Sequence, residues 1–206
     1  MSLSFIAEVI VISASGALAP GPLTTATAVM GVKRGWKTGF LVAMGHMMVE
    51  LPLVVLIGLG VVTVMEERIT PMALSMAGGL FLMFFGLLTL RDAVKFKWMA
   101  REVRRELYEN PVLIGIALSA LNPFFMIWWF GVGSPLIYKA ISLWGLYGLS
   151  LMYVSHVWLD FAWLPLIAYL TSLGRLNLKV LRAILFTLAL VVLYFGVWFI
   201  VNAISP

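Results

Sequence analysis

The stretch GHMMVELPLVVLIG, residues 45–58, places His46 and Glu50 one helical turn apart inside a run that is otherwise apolar. Charged residues make up only 11% of the 206-residue chain and hydrophobic ones 63%, with a mean hydropathy of +1.06. Ordinary globular domains are about 45–50% apolar, so the chain reads as an integral membrane protein and residues 45–58 as part of a membrane helix. A charge at the bilayer centre costs at least about 2.5–3.5 kcal/mol. Two ionisable groups held at that depth therefore call for a use.

Working outward, six segments (3–29, 37–62, 72–89, 111–131, 145–171 and 180–203) are each long enough to cross a hydrocarbon core of about 30 Å. The first begins MSLSFIAEVI, with no basic residue ahead of it. It lacks the cationic flank of a cleavable signal and is expected to stay as a helix. Twelve of the 14 Lys and Arg residues fall in the loops after the first, third and fifth segments, and only Arg68 and Lys139 fall on the other side. The positive-inside rule makes the rich side cytoplasmic, so both termini of this multi-pass plasma-membrane protein are expected to be extracytoplasmic. Topology thus accounts for the pI near 9.7, and no nucleic-acid partner is read into it. With no cysteine, disulfides and thiolate metal sites are excluded.

The chain divides into residues 1–92, a connector at 93–110 and residues 111–206. In the connector, Phe96, Met99, Val103 and Leu107 recur at helical intervals among basic residues, a pattern that suits a short helix on the inner membrane surface. The flanking parts echo each other. SGALAPGP (residues 15–22) precedes HMMVELPLVVLI, and IALSALNP (residues 116–123) precedes HVWLDFAWLPLIAYL. Each part offers a proline-broken helix, a helix with His and an acid four residues later, and a plainer helix. Three crossings per part put the second copy in upside down. The fold class is therefore an all-α membrane protein of six transmembrane helices, arranged as two inverted-topology three-helix repeats with broken first and fourth helices.

A proline inside a membrane helix removes a hydrogen bond and clashes with the preceding turn. Pro20 and Pro22, separated by Gly21, do this twice, and the freed backbone groups must face protein or an aqueous cavity. Small and hydroxyl residues around the break, Thr24 among them, are suited to satisfy those groups or to line a polar path. In the second part Asn122 precedes Pro123 and has the same capacity. A half-helix N-terminus made by such a break suits a carboxylate.

These residues carry a resemblance. APGPLTTATAVMGVKRGWKTGF followed by GH resembles the start of the LysE/RhtB amino-acid exporters of the LysE superfamily, and NPFF resembles that family's Asn-Pro-Lys motif. Length, span number and the two motif positions extend the resemblance over the whole chain. It implies a secondary transporter in which Pro20, Gly21 and Pro22, with Asn122 and Pro123, surround a central substrate site. Leu23 stands where many members have a polar residue and Phe124 where many have Lys, so specificity for lysine or arginine is not implied.

At about 1.5 Å per residue, His46 lies about 14 Å into its span from the inner side, and His156 about 17 Å into its span from the outer side. His46/Glu50 and His156/Asp160 are thus expected to face each other near the midplane, each His within reach of its own acid. Such groups are able to bind protons, coordinate a cation or capture an ammonium group. The leading expectation is export of a small amino acid or related zwitterion, coupled to protons or sodium, with no cofactor. An alternative is a divalent-metal exporter that holds its ion on His46, Glu50, His156 and Asp160. An enzyme is not expected: there is no His-Glu-x-x-His sequence, only two histidines, and no Ser or Cys nucleophile with a basic partner nearby. Partners are then the small-molecule substrate, the coupling cation and the lipid bilayer. Glycines at residues 77–86 leave room for close helix contact, either within the chain or in a homodimer.

Overall fold

The computed structural model describes residues 3–19, 21–66, 76, 79, 80, 82–84, 86, 87, 90, 91, 94, 110–174 and 178–204. Among them there is no strand. The order is α1 (Leu3–Ala17), α2 (Pro22–Arg34), α3 (Trp36–Glu66), α4 (Pro111–Ala120), α5 (Pro123–Trp128), a π turn (Trp129–Gly133), α6 (Ser134–Ser172) and α7 (Leu178–Ile204). Most of the segment expected at 72–89, nearly all of the connector at 93–110, and Pro20 lie outside the described residues.

The expected breaks are present. Helices α1 and α2 meet at a 70° bend. Pro22 sits in the first turn of α2, where its missing N–H is harmless. The second break repeats the device with a better cap. Helix α4 ends at Ala120, Asn122 accepts a hydrogen bond from Phe124 N–H at 3.0 Å, and Pro123 opens α5. The same Asn-Pro pair at Asn110–Pro111 starts α4, the Asn110 side chain accepting from Val112 and Leu113 N–H. An Asn cap followed by proline starts a helix because the cap satisfies an orphan donor and the proline φ is already helical.

One boundary differs from the sequence expectation. The segment placed at 111–131 does not end there, because no residue near 131 stops a helix. It runs through the π turn, which lies just ahead of Pro135, and on to Trp144. At Gly145 φ is +60°, and the chain turns back. The reversal is visible in contacts across it: the rings of Trp128 and Trp129 lie 5.4 and 4.9 Å from that of His156. Gly35, with φ of +68°, makes the matching one-residue turn between α2 and α3. Only glycine enters this region without steric cost.

Two helical stretches, Trp36–Val61 and Phe124–Ser172, are long and apolar enough to cross a membrane, and the bent pair α1–α2 passes the same test jointly. Helix α3 and the second half of α6 cross antiparallel. Gly39 abuts the Leu164 carbonyl, Glu50 meets His156 and Gly58 abuts Leu149. Two apolar clusters flank this crossing. One gathers Phe5, Val9, Ile12, Val54, Leu136 and Met152, the other Ala26, Met30, Val42, Ile114, Trp163 and Leu164.

Glu8 ties α1 to α6 through a 2.6 Å ion pair with Lys139. The Lys139 ammonium also lies 5.6 and 5.4 Å from the Phe5 and Trp198 rings. The described glycines of 77–86 are occupied within the chain. A Cβ on Gly79 would fall 2.7 Å from Ile200, and one on Gly86 2.8 Å from Leu193.

Candidate functional site

His46 and Glu50 lie four apart on α3 and so share a face. His46 Nε2 is 3.1 Å from Glu50 Oε1. His156, on α6, does not bond its own acid. Its Nε2 turns across the helix crossing to the same Glu50 Oε1, also at 3.1 Å, and stands 3.8 Å from Asp160 Oδ2. Trp129 donates its indole N–H to that oxygen as well, at 3.3 Å. One carboxylate oxygen on α3 is thus the common acceptor for groups from α3, α6 and the π turn. Glu50 is only 1% exposed, and a buried charge is tolerated where it is paired and hydrogen-bonded to this degree.

Asp160 is held more loosely. Its nearest imidazole nitrogens are His156 Nε2 at 3.8 Å and His46 Nε2 at 4.0 Å. Its Oδ2 is buried without a hydrogen-bond partner, as is Oε2 of Glu50. His156 Nδ1 likewise has none, whereas His46 Nδ1 lies 2.6 Å from the Ser119 hydroxyl on α4. The pairs expected to face each other do so: Glu50 bonds both histidines, and Asp160 stands off from both.

Beside this cluster is a cavity of about 240 Å³. Its lining includes His46, Glu50, His156 and Asp160 together with residues of both breaks: Gly21, Pro22 and Thr24 from the first, Asn122 from the second. Its remaining walls are largely apolar, with Leu23, Leu118, Phe124, Phe125 and Trp128 among them. The two residues that depart from the expected motif, Leu23 and Phe124, therefore do reach the cavity. The Thr24 hydroxyl reaches back 3.0 Å to the Ala19 carbonyl freed by the break, and the Asn122 side-chain oxygen caps α5. Both residues stabilise the interruptions that shape the cavity. Helix α2, by contrast, starts at Gly21 without a side-chain cap.

Three features of the site escaped the sequence reading. Ser119 lies inside the quoted IALSALNP, but nothing in its spacing pointed to His46 on another helix. Trp129 lines the cavity and also bonds Glu50, a role its place in an apolar aromatic run does not signal. The third feature was legible. His46 follows Gly35 by eleven residues and His156 follows Gly145 by eleven, each glycine being a one-residue turn. Aligning the two parts on glycine, rather than on proline, would have found it.

A bent, largely apolar helical protein that carries a cluster of buried ionisable groups beside an interior cavity has the build of a membrane translocator. The LysE type translocator family model matches residues 14–203, nearly the whole chain, and the protein belongs to that family. It is accordingly a membrane protein of a transporter family, embedded in a lipid bilayer and handling a transported substrate. No curated protein matches the chain, and no solved structure does.

Proposed function

We propose that the protein is a secondary active exporter of a small amino acid or related zwitterion, coupled to protons or sodium. The observation that carries this reading is one cavity onto which both helix breaks and the four clustered residues His46, Glu50, His156 and Asp160 open. The first turn of α2, lacking a side-chain cap, offers free N–H groups and the positive end of the helix dipole to a substrate carboxylate. The unpartnered Oδ2 of Asp160 is suited to the ammonium group. The apolar walls leave no obvious partner for a charged side chain, which favours a small or uncharged one.

In this reading the chain crosses the plasma membrane six times, with both termini extracytoplasmic. Residues 1–92 and 111–206 form two inverted three-helix repeats joined by an amphipathic connector at 93–110. The equal glycine-to-histidine spacing supports the repeat, as does the antiparallel crossing of α3 and α6. Rocking of one repeat against the other would expose the cavity alternately to each side. A homodimer is compatible with this arrangement, though the described glycines of 77–86 are already used inside the chain.

A second reading is favoured by one observation. Donor atoms of His46, Glu50 and Asp160 lie within 4.8 Å of one another, close enough to converge on a divalent ion carried as substrate. Vesicles reconstituted with the protein separate the two. Amino-acid accumulation driven by a pH or sodium gradient, with thermal stabilisation by the same amino acid, supports the first reading. Stoichiometric Zn²⁺ binding that is lost in His46→Ala, with no amino-acid accumulation, replaces it with the second.

A further inference from the structure

The two histidines of the cluster are oriented by different means. His156 is bonded on one nitrogen only, while His46 is bonded on both. The extra bond comes from Ser119, which is 2% exposed and sits on the last turn of α4, three residues before Asn122. Its hydroxyl lies 2.6 Å from the Gly115 carbonyl and 2.6 Å from His46 Nδ1. A hydroxyl has one proton and two lone pairs. It donates to the carbonyl while accepting from Nδ1–H, or it donates to Nδ1, so the ring is held in the same pose in either case.

One turn before Ser119, helix α4 is pinned to α3 by backbone contact, so any movement of α4 against α3 falls on its last turn. A Cβ on Gly115 would fall 2.2 Å from the Val42 carbonyl oxygen, and one on Gly45 2.1 Å from that of Val112. A shift of α4 at its broken end therefore has a direct route to the His46 ring. The cavity reaches the same end, since Leu118, Ser119 and Asn122 all line it.

We propose that Ser119 is a positioning residue that couples occupancy of the cavity at the α4–α5 break to the ionisable cluster, by setting the direction of the His46 imidazole. Movement of the last turn of α4, beyond the Gly115 contact, when substrate enters carries the hydroxyl with it and swings Nε2 relative to Glu50 and Asp160. Substrate binding and the state of the coupling groups are then linked through one hydrogen bond. The proposal rests on the exporter reading above.

The test uses full-length protein in vesicles and a panel of the proteinogenic amino acids. It compares gradient-driven accumulation with counterflow exchange, which needs substrate binding and alternating access but no coupling. In Ser119→Ala the loss of gradient-driven accumulation should exceed any loss of counterflow by about tenfold or more, the scale of one hydrogen bond to an ionisable group. Ser119→Thr, which keeps the hydroxyl, should recover most of the loss. Equal accumulation by Ser119→Ala and wild type overturns the role of Ser119 alone. Parallel loss of counterflow and accumulation also overturns it, by reducing Ser119 to a structural part. A wild-type protein that accumulates no amino acid under either gradient overturns the exporter reading and this proposal with it.

Discussion

The two His–acid pairs have the same spacing along the chain and behave differently in space. The first, His46–Glu50, is the tighter knot: its histidine is bonded at both nitrogens, and its acid accepts from two imidazoles and an indole through Oε1, with only Oε2 left unpartnered. The second, His156–Asp160, is open, with Nδ1 of the histidine and Oδ2 of the acid both lacking partners. Equal motifs have thus taken unequal parts. Buried polar groups with many partners hold a structure in one state, and those with few are where a ligand gains most by binding. The difference teaches that Glu50 gathers donors from three elements, whereas Asp160 bonds neither imidazole; on the exporter reading proposed above, Asp160 is then the better placed to meet the substrate.

The largest effect that tests this contrast is expected from Glu50→Gln. An amide there still offers an oxygen to the three donors but removes the charge that both imidazoles pair with, and removing one member of a buried ionic group costs about 3–5 kcal/mol. A marked fall in melting temperature of the detergent-purified protein should accompany transport at background level. Asp160→Asn should weaken substrate binding about tenfold or more, as expected for loss of a charge-assisted hydrogen bond, while melting falls far less than in Glu50→Gln. Equal destabilisation by the two variants would erase the distinction between knot and open pair.

Exchanging the acids, Glu50→Asp with Asp160→Glu, keeps charge and composition but shortens the reach of the common acceptor. Transport should stay well below wild type, and recovery to the wild-type rate would show that the two positions are interchangeable. The smallest effect belongs to Trp129→Phe, which removes the indole N–H donor to Glu50 together with one ring of buried packing. A stability loss of about 1–3 kcal/mol is expected, read as a modest melting shift with transport largely kept.

Much of this was legible in the residues themselves. Helical breaks at Gly21–Pro22 and Asn122–Pro123 were readable because proline acts locally, through its own ring and missing N–H. The convergence of His46, Glu50, His156 and Asp160 was readable because burying a charge in lipid demands partners, and few are available in so apolar a chain. Less legible was how far the fourth helix continues, since a π turn and a proline tolerated at Pro135 carry no stop signal before Gly145. The bonding pattern was not legible at all. Which acid His156 selects depends on how α3 and α6 cross, and that crossing is set by close contacts such as Gly39 with Leu164 and Gly58 with Leu149.

By itself, then, the sequence determined that the chain lives in a bilayer, where its helices are interrupted and which ionisable residues lie deep inside it. Hydropathy, proline geometry and the cost of buried charge act residue by residue and need no partner to be known. Only the tertiary structure decided that Glu50 gathers three donors, that Ser119 holds His46 and that Asp160 keeps a free oxygen beside the cavity. Those are contacts between elements far apart in the chain, and their distances follow from helix packing, which no single segment encodes.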